Sequence, residues 1–121
     1  MATLLTRVED GILLAYFQDV RIIDQSRING LGLELNEFLT DPANKKIIVN
    51  FQNVSFMSSA MIGKLVQFGK KCRDGKVDLR FCNINENILE VFGLMKLDKV
   101  FNLDKDEAVA IKNIKGKGWF G

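Results

Sequence analysis

The chain has 121 residues, of which 47% are hydrophobic and 26% charged, the proportions of one folded domain with a single core. It contains no histidine and only two cysteines, Cys72 and Cys82; histidine triads, histidine acid–base chemistry, histidine metal sites, disulfide frameworks and four-thiolate zinc sites are thereby excluded. Seventeen Lys and Arg against fifteen Asp and Glu leave a net charge of +2, and the only basic cluster, Lys112, Lys115 and Lys117, falls short of the stripe a nucleic-acid binder carries.

The opening MATLLTRVEDG has no long apolar core and carries Glu9 and Asp10 early, so no signal peptide is expected. No stretch approaches the roughly 18 apolar residues of a membrane span. The expectation is a cytoplasmic protein, with no direct membrane insertion and with both cysteines as free thiols. Thr3–Val8 and Ile12–Phe17 flank Glu9-Asp10-Gly11, and Asp-Gly between two apolar runs predicts a hairpin. Residues 24–39 follow with Ile28, Leu31, Leu35, Phe38 and Leu39 at helical spacing and Asp24 as N-cap. Gly30 and Gly32 weaken that helix by about 1 kcal/mol each. Leu33 falls on its opposite side, either a scattered surface leucine or part of an interaction face. The only proline, Pro42, lies in a turn that ends the helix.

Lys45–Phe51 reads as a central strand, its Ile47-Ile48-Val49 run suited to a position covered on both faces. Residues 59–73 read as a second helix with Ile62, Leu65, Val66, Gly69 and Cys72 inward, Met61 and Phe68 at the edge, and Ala60, Gly63, Lys64, Gln67 and Lys71 outward. Val77–Cys82 is a strand entered by Arg73-Asp74-Gly75. Glu86–Phe92 is a short helix capped by Asn85 and stopped by Gly93 in the left-handed conformation. Val100–Leu103 is an edge strand. Residues 105–112 form a last helix capped by Asp104, and 113–121 a flexible tail whose Trp119 and Phe120 are either mobile or docked. The order ββαβαβαβα predicts an α/β domain over residues 3–112, a mixed open sheet of about five strands covered by about four helices.

The segment Val54-Ser55-Phe56-Met57-Ser58-Ser59-Ala60-Met61-Ile62-Gly63 ends a buried strand and opens a helix. Here the chain resembles the STAS domain, the fold of bacterial anti-sigma factor antagonists. That family's pattern is a strand ending in Asp-Leu-Ser, then Val-x-Phe-Met/Ile-Asp-Ser-Ser/Thr-Gly-Leu-Gly. Asp24 matches an acidic position of the family. Ile88–Phe101, with Gly93-Leu94 and Leu97-Asp98-Lys99-Val100-Phe101, looks like its carboxy-terminal half, and Asp106-Glu107-Ala108 like its last helix.

In the family the serine after the loop aspartate is phosphorylated by a partner kinase. The resemblance therefore implies phosphorylation at Ser59, with Ser58 as second choice, and partner contacts at Asp24, Asn50, Ser58, Ser59, Ala60, Met61, Gly63, Lys64 and Gln67. The implied partners are an anti-sigma factor/serine protein kinase and a serine phosphatase, with self-association left open; no nucleic acid, cofactor or metal is expected. The chain would be a substrate and not an enzyme, since a serine nucleophile would need a lysine or carboxylate base and Lys64 lies five residues from Ser59. A helix N-terminus favours an anion in any case, and Ser58 and Ser59 also read simply as capping residues. Ser58 stands where the family has its loop aspartate, Asn50 where it has the strand-end aspartate, and Met61 where it has glycine. These departures remove acids that could orient the acceptor hydroxyl. The other reading is accordingly a non-phosphorylated STAS interaction subunit, in a signalling scaffold or a lipid-transport ABC system.

Overall fold

A computed structural model describes residues 4–117. β1 (Leu4–Glu9) and β2 (Ile12–Phe17) form the expected hairpin, with Asp10 at φ 53° and Gly11 at φ 79° in its two-residue turn. β3 (Arg21–Ile22), α1 (Gln25–Phe38), β4 (Lys46–Asn50), β5 (Phe56–Met57), α2 (Ser59–Asp74), β6 (Asp78–Cys82), α3 (Glu86–Leu94), β7 (Asn102–Asp104) and α4 (Glu107–Lys117) follow. The main sheet has the order β1-β2-β4-β6-β7, with β1 antiparallel and the rest parallel. This is the expected single α/β domain with a mixed five-strand sheet and four helices. The two-residue strands β3 and β5 pair in a small second sheet, too short to show a sequence period.

The parallel crossovers β2-α1-β4, β4-α2-β6 and β6-α3-β7 all step the same way across the sheet. Right-handed connections then place α1, α2 and α3 on one face. That face holds the larger core, with Leu13, Phe17, Ile47, Val49, Phe51, Leu79 and Phe81 pointing into it from the strands. The alternate residues Ile12, Leu14, Ile48 and Cys82 point the other way, to a smaller cluster closed by Ala110 and Ile114 of α4. Both cysteines are buried and free. Burial pushes both thiols up to about 12, assisted at Cys82 by Glu107 and Asp104. Among the described residues, no helix is long and apolar enough to cross a membrane.

Several expectations need correction. Met61 and Phe68 are fully inside, and Val66 lies half-buried at the margin. The packed arc is therefore centred on the Met61-Leu65-Phe68-Cys72 ridge, not on Val66. Gly69 permits that packing: a Cβ there would lie 2.6 Å from the Phe101 ring. Gly93 does not stop α3, which runs on to Leu94; the left-handed residue is Lys96, at φ 59°. Leu97–Lys99 then form a 3-10 turn, so β7 begins only at Asn102. Asp104 does not cap α4; it pairs with Arg80, and Asp106 accepts the Val109 N–H instead at 2.9 Å. α4 runs through residues 113–117, expected as tail, because Ile114 buries completely against the sheet. Thr3, Trp119 and Phe120 lie outside the described residues.

Candidate partner-binding site

The β5–α2 junction is held from both sides. Ser55 and Phe56 N–H groups donate to Val20 O at 2.8 and 3.2 Å, and Ser58 N–H donates to Ile22 O at 3.0 Å. On the other side Asn85 Nδ2 donates to Val54 O and Ser55 O at 3.1 and 2.9 Å, while Asn85 Oδ1 caps α3 by accepting from Ile88 N–H. Ties of this kind fix the loop without a disulfide or a proline. The small β3–β5 sheet thus aims the start of α2 outward at a set angle.

Ser58 is the N-cap of α2, extended at φ −71° and ψ 160°, and its hydroxyl accepts from Met61 N–H at 3.4 Å. Ser59, the first residue of the helix, is exposed. Among the described residues its hydroxyl has no protein partner. The two serines divide the capping and site readings between them. The first turn of α2 contains no acid, so nothing there competes for the positive end of the helix dipole. Ala60 is exposed too, and nothing lies within 4 Å of a Cβ built on Gly63, which leaves room for close approach.

Further along α2, Gln67 is exposed and Lys64 half-buried. The Lys64 stem lies across α1, its Cδ 3.1 Å from where a Cβ on Gly32 would stand; it runs toward α1 instead of toward Ser59. Lys64 and Gln67 line a groove of about 240 Å³ with Asn29, Gly32, Leu33 and Asn36 of α1. Leu33, 65% exposed, therefore sits in an interhelical groove and is not an isolated surface leucine. Asp24 caps α1 at its exposed start, accepting from Arg27 N–H at 3.0 Å.

Two expected contact residues are not on this surface. Asn50 is 3% exposed. It alternates onto the α4 side of the sheet, where its Nδ2 donates to Glu107 Oε1 at 3.3 Å and its Oδ1 accepts from Gln52 N–H at 2.8 Å. Met61 is entirely buried against the core, so its bulk is a packing element. In their place the structure adds an apolar groove of about 240 Å³ between the β5–α2 junction and α3, lined by Phe56, Met57, Ile62, Asn87, Ile88 and Val91. The Arg21 guanidinium lies 5.3 Å from the centre of the Phe56 ring. Ile88 and Val91 have the i, i+3 spacing of one helix face, which was the available sequence signal.

The STAS domain model matches residues 6–110. Three solved structures share the fold. An anti-sigma-factor antagonist (STAS) domain protein from Planctomyces limnophilus is 16% identical, covering 94% of this chain and 99% of its own, with a TM-score of 0.81. An anti-sigma factor antagonist from Mycobacterium paratuberculosis is 17% identical over 93% of each chain, with a TM-score of 0.80. The Bacillus cell fate determinant SpoIIAA, in its phosphorylated form, is 17% identical over 92% of this chain and 98% of its own, with a TM-score of 0.70. The five-strand sheet, its four helices and the family match over residues 6–110 together establish that the chain belongs to the STAS domain family.

Proposed function

We propose that this protein is a cytoplasmic regulatory binding module like the anti-sigma factor antagonists, switched by phosphorylation at Ser59. The partner is an anti-sigma factor with serine kinase activity. It approaches the start of α2 over Ser59, Ala60 and Gly63, with Lys64, Gln67 and Asp24 bordering the contact. The carrying observation is the exposed, unpartnered Ser59 hydroxyl on the first residue of an acid-free helix start. A phosphate there adds about −1.5 to −2 charges at neutral pH. The helix end accommodates that charge, while a partner seated on Ala60 and Gly63 meets it at close range. The unphosphorylated protein binds, the phosphorylated protein releases, and a serine phosphatase resets it. The chain itself acts as substrate and not as enzyme. The phosphorylated SpoIIAA structure on the same fold supports this reading.

One observation favours a second reading. Ser58 stands at the family's loop-acid position and its hydroxyl is engaged in capping, so neither the preceding residue nor the first turn of α2 offers a carboxylate to the acceptor. The chain would then be a constitutive interaction subunit, of a signalling scaffold or of a lipid-transport ABC system. Mass spectrometry of protein from its native cells, with peptides mapped across residues 50–75, separates the two. Phosphate on Ser59, with weaker partner capture by Ser59→Asp than by Ser59→Ala, is the expected result. Phosphate on Ser58 alone would move the switch to the cap. Unmodified peptides even under phosphatase inhibition would leave the constitutive subunit.

A further inference from the structure

The two edges of the main sheet differ. β7 is only three residues long, whereas β1 spans six and pairs with β2 without a bulge from Leu4↔Phe17 to Glu9↔Ile12. Exposed edges of that length are normally blunted by proline, a bulge or an outward lysine. β1 has none of these: the only proline in the chain is Pro42. Its one cation, Arg7, is folded back onto Glu9, Tyr16 and Glu107.

The hairpin turn determines which backbone groups face outward. Around a two-residue turn the flanking pair, Glu9 and Ile12, exchanges both hydrogen bonds, and bonded and non-bonded pairs alternate from there. Leu4, Thr6 and Val8 therefore point their N–H and C=O groups away from β2. The Leu4 N–H agrees: it donates to Glu34 Oε1 of α1 at 2.9 Å. Glu34 closes the start of the edge, and among the described residues the stretch from Thr6 to Val8 stays open. Val8 is 69% exposed.

We propose that this edge pairs with a second copy of the chain, antiparallel about Val8, to join two sheets into one. Centred within the open stretch Thr6–Val8, three two-fold registers keep each side chain on its own face of the joined sheet. Pairing about Thr6 needs the Leu4 N–H, which Glu34 already holds. Pairing about Arg7 sets two guanidinium groups directly opposite each other, an unfavourable pair. Pairing about Val8 sets each Arg7 opposite the second copy's Glu9, so that charges alternate across the join. It also lays the two Val8 side chains side by side and lets each Val8 N–H donate to the other's carbonyl. The surface is separate from the start of α2, so it stands whether or not Ser59 is a switch.

The test is sedimentation velocity on the whole chain from about 10 μM to about 1 mM, the range suited to an interface below the standard size. A concentration-dependent dimer is expected. Val8→Pro removes only the outward N–H and leaves the β1–β2 bonds intact, as proline allows on an edge. It should weaken the dimer by about tenfold or more with circular dichroism and Tm unchanged. Glu9→Lys, which sets a lysine against Arg7, should weaken it likewise and serves if Val8→Pro does not fold. The register is read by oxidation: Val8→Cys should form a covalent dimer and Thr6→Cys should not, the native thiols being buried. A monomer throughout the range overturns the proposal. So does a dimer indifferent to both Val8→Pro and Glu9→Lys, or cross-linking through Thr6→Cys in preference to Val8→Cys.

Discussion

On the face covered by α1, α2 and α3, the rings of Phe17, Phe51, Phe81 and Phe101 run edge to edge across the sheet, with centroids 5.0, 5.1 and 4.6 Å apart, and Phe92 joins Phe101 at 5.9 Å. On the face covered by α4 the apolar contact is small, and polar groups border it. Tyr16 and Asn50 donate to Glu107 Oε1, and Arg7 donates to Glu107 Oε2 at 3.0 Å. Arg80 and Asn113 donate to Asp104, and Lys115 pairs with Asp10 at 2.6 Å. One face is positioned by the volume of its side chains and the other by a few directional bonds. Packed volume resists change at every position, whereas a bordered helix depends on the bonds shielded from water and little on those that are not.

Removing a ring from the packed face should have the largest effect. Phe81→Ala takes away the ring between Phe51 and Phe101, and should cost about 3–5 kcal/mol in urea unfolding. A loss under about 1 kcal/mol would mean that the aromatic row does not organise this face. Next is Asp104→Ala, which strands Arg80, a side chain only 14% exposed. A cost of about 3 kcal/mol is expected. Burial raises the Asp104 carboxyl, but hydrogen bonds from Arg80 and Asn113 outweigh it, so the net shift is downward. The wild type should therefore hold this contribution above pH about 4 and lose it as the pH falls through the lowered folded value; the variant's acid-unfolding curve should lack that loss.

Glu107→Gln should cost less, about 1–2 kcal/mol, and the loss should be local. Hydrogen exchange should quicken in α4 with α2 unchanged. Cys82 lies under α4 and Cys72 on the buried face of α2, so the variant should also speed thiol labelling of Cys82 over Cys72. Equal labelling would show that the molecule opens as a unit. Both thiols sit at about 12 when folded, well above the ordinary value near 8.5. Tyr16 is also raised, by burial and then by its bond to Glu107. Raised groups of this kind stabilise the fold below their unfolded pKa and lose that contribution as pH rises through the folded one. Chemical denaturation should show stability falling from pH about 9 toward 12. The smallest effect belongs to Lys115→Ala. That pair is exposed at the hairpin tip, and no change in Tm is expected.

Much of this architecture is legible one element at a time. Asp10-Gly11 declares its turn, Ile47-Ile48-Val49 its central strand, and Asp24, Ser58 and Asn85 their caps, because each feature depends on neighbours within four residues. The resemblance around residues 54–63 located the start of α2. At Asp104 a distant partner overrides the local reading: Arg80, twenty-four residues away in sequence, takes its carboxylate. At Gly93 the helix runs one residue further, to Leu94, and the left-handed residue comes at Lys96.

Tertiary structure decided the membership of the site. Met61 looked like an edge residue because α2 has more apolar positions than one stripe holds, and only the docking of α1 and α3 selects which of them face in. Asn50 looked accessible as a polar strand end, until α4 crossed the sheet and placed Glu107 over it. The groove of Phe56, Ile62, Ile88 and Val91 joins three separate elements that no local spacing connects. By itself the sequence determined the longer elements, their order and where α2 starts, since periodicity and capping act within a turn or two of chain. Which side chains remain available to a partner beside Ser59 was decided only by packing, since burial depends on residues far apart in the chain.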